Sequence, residues 1–144
     1  MIILLALLVN HCSFPQKINL IKGTAGSYEV PIELNKTIKL NFLLDTGASE
    51  GSIPIYVLYT LIKSGSITKA DKLADKTFTI ADGSTITLHR VLIRELKIGD
   101  HVIKNVSFSV TEKLDSPLLL GQNVLSHFQE VIINYKDDTL FLKE

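Results

Sequence analysis

Apolar and polar residues alternate with a period of two along much of the chain from Tyr28 onward. One alternating run covers residues 30–34 and a second covers residues 38–44, with Asn35 and Lys36 between them. Because successive side chains of a strand point to opposite faces, this alternation predicts two strands joined as a hairpin. The Asn-Lys pair is not the favoured Asn-Gly, so the pattern leaves the type of turn open.

Three further hairpins are predicted toward the C-terminus. Their strand pairs cover residues 77–80 and 85–93, residues 96–98 and 102–110, and residues 131–134 and 139–142. The first is joined by Ala-Asp-Gly-Ser, and Asp-Gly between apolar runs is a strong hairpin signal because glycine tolerates positive φ. With a short apolar run at residues 118–120, the chain has eight or nine predicted strands. The predicted fold class is therefore mainly β, as a small closed or folded-over barrel with one or two short helices.

Residues 52–64 change to a helical period. Apolar side chains recur there at helical spacing and predict a stripe that faces the core; they are Ile55, Leu58, Leu61 and Ile62. Ser52 is the predicted N-cap and Gly65 the predicted end of this helix. Residues 123–128 predict one or two further helical turns, and the mixed lysines and aspartates of residues 63–76 predict a solvated connector.

An unbroken apolar run occupies residues 1–9. It is too short to span a bilayer, which takes about 20 residues, and it resembles the apolar core of a secretory signal without the basic residues that normally precede it. We expect residues 1–16 to be a signal or anchor-like segment and residues 17–144 to be a single domain. The chain would then be exported, periplasmic or membrane-associated, and otherwise cytoplasmic. A misplaced start codon or a buried first strand are the other interpretations.

Composition narrows the classes of partner and cofactor. The chain has 144 residues, of which 15 are Lys or Arg and 15 are Asp or Glu, so it has no basic excess with which to bind nucleic acid. Its single cysteine, Cys12, excludes an intrachain disulfide and a cysteine-based zinc site. The four histidines show no metal-binding spacing, so we expect neither a metal nor a cofactor.

The candidate chemistry lies in residues 43–49, which read Leu-Leu-Asp-Thr-Gly-Ala-Ser. Asp45 ends an apolar strand directly before a glycine turn. A buried carboxylate is costly unless it has a partner or a task, although an aspartate that starts a turn and binds its own backbone is the simpler interpretation. A second apolar element, the Leu-Leu-Gly at residues 119–121, precedes a predicted helix and favours the functional interpretation.

These elements, in this order, resemble the retropepsin-like aspartic proteases, and more narrowly their bacterial single-domain members. The resemblance covers residues 28–142: a hairpin leading to Asp-Thr-Gly-Ala-Ser, a flap hairpin around residues 81–84, and the apolar-apolar-Gly-x-x-x-Leu element of residues 119–125. It implies an aspartic endopeptidase that hydrolyses a peptide or protein substrate with a water activated by two aspartates. The chain carries one Asp-Thr-Gly, so the resemblance implies an obligate homodimer in which each chain gives one Asp45.

The resemblance also assigns roles to individual residues. The catalytic residues are Asp45, Thr46 and Gly47. Thr46 would bond across the dimer, and Gly47 would leave room for backbone close to the substrate. The expected substrate-binding residues are Ala48 and the flap residues Ala81, Asp82 and Gly83.

Three other functions are open to this sequence. The first is a catalytically inactive barrel of the same family that serves as a peptide-binding or dimerisation module. The second is a structural envelope protein that uses its N-terminal segment only for tethering. A serine hydrolase built on Ser49 is disfavoured, because the Gly-x-Ser-x-Gly elbow is absent.

Overall fold

The computed structural model describes residues 16–144. The predicted signal or anchor-like segment therefore lies outside the described residues, except that Gln16 already belongs to the first strand. No helix within residues 16–144 combines the length and the apolar character needed to cross a membrane.

Eleven strands and two α-helices are formed in the described part of the chain. The strands are β1 (Gln16–Asn19), β2 (Ile21–Lys22), β3 (Tyr28–Leu34), β4 (Ile38–Leu44), β5 (Gly51–Pro54), β6 (Lys72–Thr79), β7 (Thr85–Ile98), β8 (His101–Thr111), β9 (Leu119–Leu120), β10 (Glu130–Asn134) and β11 (Thr139–Lys143). The helices are α1 (Ile55–Lys63) and α2 (Gln122–Leu125). Short 3₁₀ turns cover Thr24–Gly26 and Lys69–Asp71.

Six of these strands close into a barrel. The larger sheet has the order β2-β3-β4-β9-β5-β8-β7-β6, and an additional antiparallel pairing of β3 with β7 joins the sheet into a ring of β3, β4, β9, β5, β8 and β7. Strands β2 and β6 extend this ring as flanking strands, and β1, β11 and β10 form a separate three-stranded sheet. The predicted mainly β barrel is confirmed.

The inward faces of the strands supply one continuous apolar core. Phe42 of β4 and Phe108 of β8 are fully buried, and their rings meet edge to face with 5.8 Å between centroids. The second sheet joins the same core through Leu140 and Leu142 of β11. Burial of this alternating set explains why the period-two pattern of the sequence predicts the strands well.

The first predicted hairpin is confirmed, and the structure also shows its turn. Asn35 and Lys36 both adopt left-handed backbone, with φ of 47° and 54°, as a type I′ turn requires. Asn35 tolerates this conformation because its side chain is bonded: its Oδ1 accepts from the backbone N–H of Glu95 at 3.0 Å, and its own N–H donates to the Glu95 carbonyl at 2.7 Å. The turn is therefore fixed to β7 at the seam that closes the barrel.

The predicted start of the first helix is wrong. Ser52 does not cap a helix, because it lies buried in β5 opposite Ser109 of β8 and Leu119 of β9. Strand pairing fills the gap between β8 and β9 and overrides the local capping signal of the sequence. The helix begins only at Ile55.

The predicted core-facing stripe of this helix is only partly right. Leu61 is fully buried as expected, but so is Val57, which the pattern did not select, whereas Ile62 is 47% exposed. Ile55 and Leu58 are half-buried and pack against the core, so the buried face of the helix is centred on Val57 and Leu61.

Two predictions about the middle of the chain are also wrong. Residues 85–93 and 96–98 do not form separate strands, because β7 runs without a break from Thr85 to Ile98. The solvated connector predicted for residues 63–76 ends at Asp71, which is buried, and Lys72 already begins strand β6. The sequence predicts only the end of this strand, at residues 77–80, because the side chains of residues 72–76 are largely polar and exposed.

Asp71 anchors the start of β6 through a dense set of hydrogen bonds. Arg94 of β7 donates to it from Nε at 2.7 Å and from Nη2 at 2.8 Å, and the backbone N–H of Thr68 donates at 2.8 Å. The Thr68 backbone bond, with the Arg94 side chain, outweighs burial and holds the pKa of Asp71 below its ordinary 3.8.

A carboxyl whose pKa is lower in the folded chain stabilises the fold above its unfolded pKa, and this stabilisation is lost as the pH falls through the folded value. We therefore expect Asp71→Asn to lower the free energy of unfolding at pH near 7, and the gap from the wild type to narrow as the pH falls to about 3. Urea unfolding followed by circular dichroism at both pH values measures this. Asp115→Asn, at an exposed aspartate, is the control, and an Asp71 gap of equal size at both pH values contradicts the prediction.

Candidate active site

The position of Asp45 is set by a parallel pairing of two apolar strands. Leu43 and Leu44 of β4 lie opposite Leu119 and Leu120 of β9. Asp45 follows directly, and its backbone N–H donates to the Leu120 carbonyl at 3.1 Å. The two apolar elements singled out in the sequence are therefore brought together, and Asp45 emerges where β4 leaves the barrel.

The carboxylate of Asp45 organises its own loop. Its Oδ1 accepts hydrogen bonds from the backbone N–H groups of Gly47 at 2.9 Å and Ala48 at 3.2 Å. Asp45 therefore does bind the backbone of its own turn, as the simpler interpretation of the sequence expects. It occupies one oxygen only, since Oδ2 accepts no hydrogen bond from any of residues 16–144, and the neighbouring Thr46 and Gly47 are exposed. One carboxylate oxygen is held and the other is available.

The start of α2 supports the loop from behind. The backbone N–H of Gln122 donates to the Ala48 carbonyl at 2.8 Å, and its side-chain Nε2 donates to the Thr46 carbonyl at 2.8 Å. Asn123 accepts from the N–H of Gly51 at 2.8 Å and donates to the Ser107 carbonyl at 2.8 Å.

Gln122 and Asn123 were not identified from the sequence. The available signal was their place directly after the Leu-Leu-Gly element, since the first residues of a helix carry free N–H groups that can hold a neighbouring loop.

Gly121 allows the close approach of these two segments. A Cβ atom at this position would lie 2.6 Å from the carbonyl carbon of Glu50 and 2.9 Å from the carbonyl oxygen of Ala48. Both contacts are with backbone, which cannot swing away as a flexible side chain could. A side chain at residue 121 would therefore push β9 away from the loop that carries Asp45.

Glu50 follows the loop and carries a buried charge. Its side chain is 2% exposed and pairs with Arg90 of β7, whose Nη2 lies 2.8 Å from Oε1. Burial acts to raise the pKa of Glu50, but the hydrogen bond and the positive charge of Arg90 outweigh it, so that this pKa lies below its ordinary 4.5. The sequence analysis did not identify either residue.

The predicted flap residues form the tip of the β6–β7 hairpin. Ala81, Asp82 and Gly83 are all exposed, and Gly83 has the positive φ of 84° that the turn needs. Asp82 accepts from the hydroxyl of Ser84 at 2.7 Å, and this bond, with a second from the Ser84 backbone, holds the pKa of Asp82 below its ordinary 3.8. No hydrogen bond or ion pair within residues 16–144 joins this tip to the Asp45 loop.

Two cavities lie beside β7, and neither is lined by Asp45. One, of about 430 Å³, is bounded by residues 86–89 and 110–116, and the other, of about 390 Å³, lies between α1 and β7. Within the described part of the chain, no group of three or more His, Cys, Asp or Glu side chains is arranged to hold a metal ion. In a single chain, Asp45 is half-buried and lies outside both of these cavities.

The closed barrel with an Asp-Thr-Gly loop at the end of β4 is the architecture of a retropepsin-like aspartic protease. Among solved structures, the chain is similar to the crystal structure of a retropepsin-like aspartic protease from Rickettsia conorii. The TM-score is 0.61 and the sequence identity 19%, with 90% of each chain covered. The family model described as gag-polyprotein putative aspartyl protease matches residues 30–127, more than half of the chain. The chain belongs to this aspartyl protease family, and the resemblance inferred from its motifs is confirmed. No curated protein sequence matches the chain.

The contact between Gly121 and the loop can be tested by adding one methyl group. We expect Gly121→Ala to lower the free energy of unfolding by about 1–3 kcal/mol, because the new Cβ meets backbone that has to move. Chemical unfolding measures the change, with Ser126→Ala at an exposed position as the control. A Gly121→Ala protein as stable as the Ser126→Ala protein would show that the two segments are not tightly apposed.

Proposed function

We propose that the chain is an aspartic endopeptidase that hydrolyses peptide bonds with a water activated by two Asp45 residues across a homodimer. Membership of an aspartyl protease family supports the protease activity. The observation that carries the assignment to Asp45 is its divided carboxylate: Oδ1 holds the Asp-Thr-Gly loop, and Oδ2 is unbound beside the exposed Thr46 and Gly47.

A second carboxyl is required by the chemistry. One group has to be ionised to take a proton from water, and another has to be protonated to donate a hydrogen bond to the carbonyl oxygen of the substrate. Asp45 has no carboxylate partner in the described chain, and Asp-Thr-Gly occurs once in the sequence. A two-fold axis beside Thr46 would place a second Asp45 next to the first.

In this arrangement the two carboxyls share one proton, because two adjacent charges of the same sign are unfavourable. The ionised Asp45 takes a proton from water, the resulting oxygen attacks the carbonyl carbon, and the protonated Asp45 passes its proton to the carbonyl oxygen. When the C–N bond of the tetrahedral intermediate breaks, the Asp45 that took the proton from water gives it to the leaving amine. The other Asp45 takes a proton from a hydroxyl of the intermediate as the product carboxyl forms, so the pair returns to its starting state.

The exposed residues around Asp45 have roles in the same proposal. The Thr46 hydroxyl makes no hydrogen bond within residues 16–144, so it is free to bond to the partner's loop. An extended substrate would lie along the small residues Gly47 and Ala48. The tip residues Ala81, Asp82 and Gly83 would close over it and exclude water.

An inactive barrel that only binds peptides or dimerises is the alternative. It is not favoured, because the intact carboxylate geometry of Asp45 is not needed for either task.

Mixing of active and inactive chains tests the shared site. We expect Asp45→Asn to abolish cleavage of an unstructured protein between about pH 3 and 7 while the chain still dimerises. In an equal mixture of wild type and variant, random pairing leaves about one quarter of the dimers with two Asp45 residues, so activity per total protein should fall to about one quarter.

The measurements are peptide cleavage assays and sedimentation velocity, with Asp115→Asn as the mixing control. Activity of about one half in the equal mixture would mean that each chain acts alone. Dimers of the wild type that cleave nothing and bind no pepstatin-like inhibitor would favour the inactive module.

A further inference from the structure

Glu50 and Arg90 form a buried ion pair in which Arg90 contacts both carboxylate oxygens of Glu50. Arg90 donates from Nε to both carboxylate oxygens, at 3.0 and 3.1 Å, and from Nη2 to Oε1 at 2.8 Å. Ser109 adds a third donor, with its hydroxyl 3.2 Å from Oε2. The Glu50 side chain is 2% exposed and that of Arg90 is 21% exposed. Such a fork fixes both position and orientation, which the single ammonium group of a lysine does not.

The pair lies where the flap hairpin leaves the barrel. Arg90 of β7 is directly opposite Ser109 of β8, and the last paired residues toward the tip are His89 and Val110. Beyond that point, residues 85–88 pair with β6 alone. Arg90 therefore lies in the last part of β7 that is paired with β8. Beyond it, the β6–β7 hairpin projects from the barrel as a two-stranded arm.

The other member of the pair belongs to the segment that carries Asp45. Glu50 follows residues 45–49 without interruption, and its backbone is the surface against which Gly121 packs. A buried carboxylate needs its partner, so a displacement of Arg90 has to be transmitted to Glu50. The ion pair is thus a direct connection from the base of the flap arm to the loop of Asp45.

We infer that Arg90, acting through Glu50, is a positioning residue that couples the flap hairpin to the Asp45 loop. This inference rests on the proposed peptidase function for its effect on activity, and on the contacts alone for its effect on the loop. The coupling fixes the angle of the flap arm against the loop and so sets how a bound peptide is held over Asp45.

The chain offers a matched control for this inference. Arg94 lies on the same face of β7, four residues away, and also pairs with a buried carboxylate, that of Asp71. Asp71 belongs to the 3₁₀ turn before β6 rather than to the Asp45 loop. A lysine at either position keeps the positive charge but loses the two-pronged contact of the guanidinium group. The comparison therefore separates coupling to the Asp45 loop from the general effect of weakening a buried ion pair.

The first readout does not need activity. In Arg90→Lys we expect the backbone N–H groups of Gly47 and Ala48, which bind Asp45, to exchange with deuterium about fivefold faster or more, and Arg94→Lys to leave their rates unchanged. Exchange in the native protein, measured by mass spectrometry or NMR, tests this whether or not the chain cleaves peptides. Unchanged rates in Arg90→Lys, or an equal rise in both variants, would overturn the inference.

The second readout is kinetic. We expect Arg90→Lys to lower kcat/KM for a peptide long enough to contact the flap by about tenfold or more at equal folded dimer concentration, because small displacements of reacting groups are costly. Arg94→Lys should stay within about twofold of the wild type. Equal kinetic losses in the two variants would also overturn the inference. A wild type that cleaves no peptide refutes the proposed function and leaves the exchange experiment to decide the coupling.

Discussion

The whole site depends on one close contact between two backbones. Strands β4 and β9 run parallel for two residues only, and each then turns away, so the pairing by itself is short. What holds the turns together is the approach of Gly121 to the backbone of Glu50 and Ala48, followed by hydrogen bonds from Gln122 and Asn123. Because backbone cannot yield as a side chain can, this contact fixes the loop of Asp45 from behind while its front stays open.

Strand β7 connects this rigid region to the rest of the fold. It closes the barrel against β3, pairs with β8 along most of its length, and begins at the tip of the β6–β7 hairpin. Two arginines on one face bind buried carboxylates in segments far apart in sequence, Glu50 after the Asp45 loop and Asp71 before β6. Burying such pairs gains little net stability, but leaving one partner alone is costly, so they specify the arrangement of the segments they join.

The parts of this structure that the sequence predicts are those that depend on local patterns. Alternation identified β3 and β4 because one face of each is buried, and Asp-Gly marked the tip of the β6–β7 hairpin because its glycine needs positive φ. The failures share a physical cause. Ser52 lies in a strand, not a cap, because β8 and β9 pair with it from distant parts of the chain, and the partnership of Glu50 with Arg90 spans 40 residues that no local period records.

The distinction between local and long-range interactions also applies to the chemistry of Asp45. An aspartate that binds its own turn and an aspartate that activates water are usually treated as competing interpretations, but Asp45 has two oxygens, and one of them suffices for the turn. Fixing Oδ1 with two backbone N–H groups keeps the loop in one shape without a counter-charge. The other oxygen, Oδ2, accepts no hydrogen bond from residues 16–144 and is available to a second carboxyl in the proposed homodimer. In the proposed homodimer, the proton shared by the two carboxyls would belong to neither chain, so the acid and base roles would be set by the dimer and the substrate rather than by any difference in sequence.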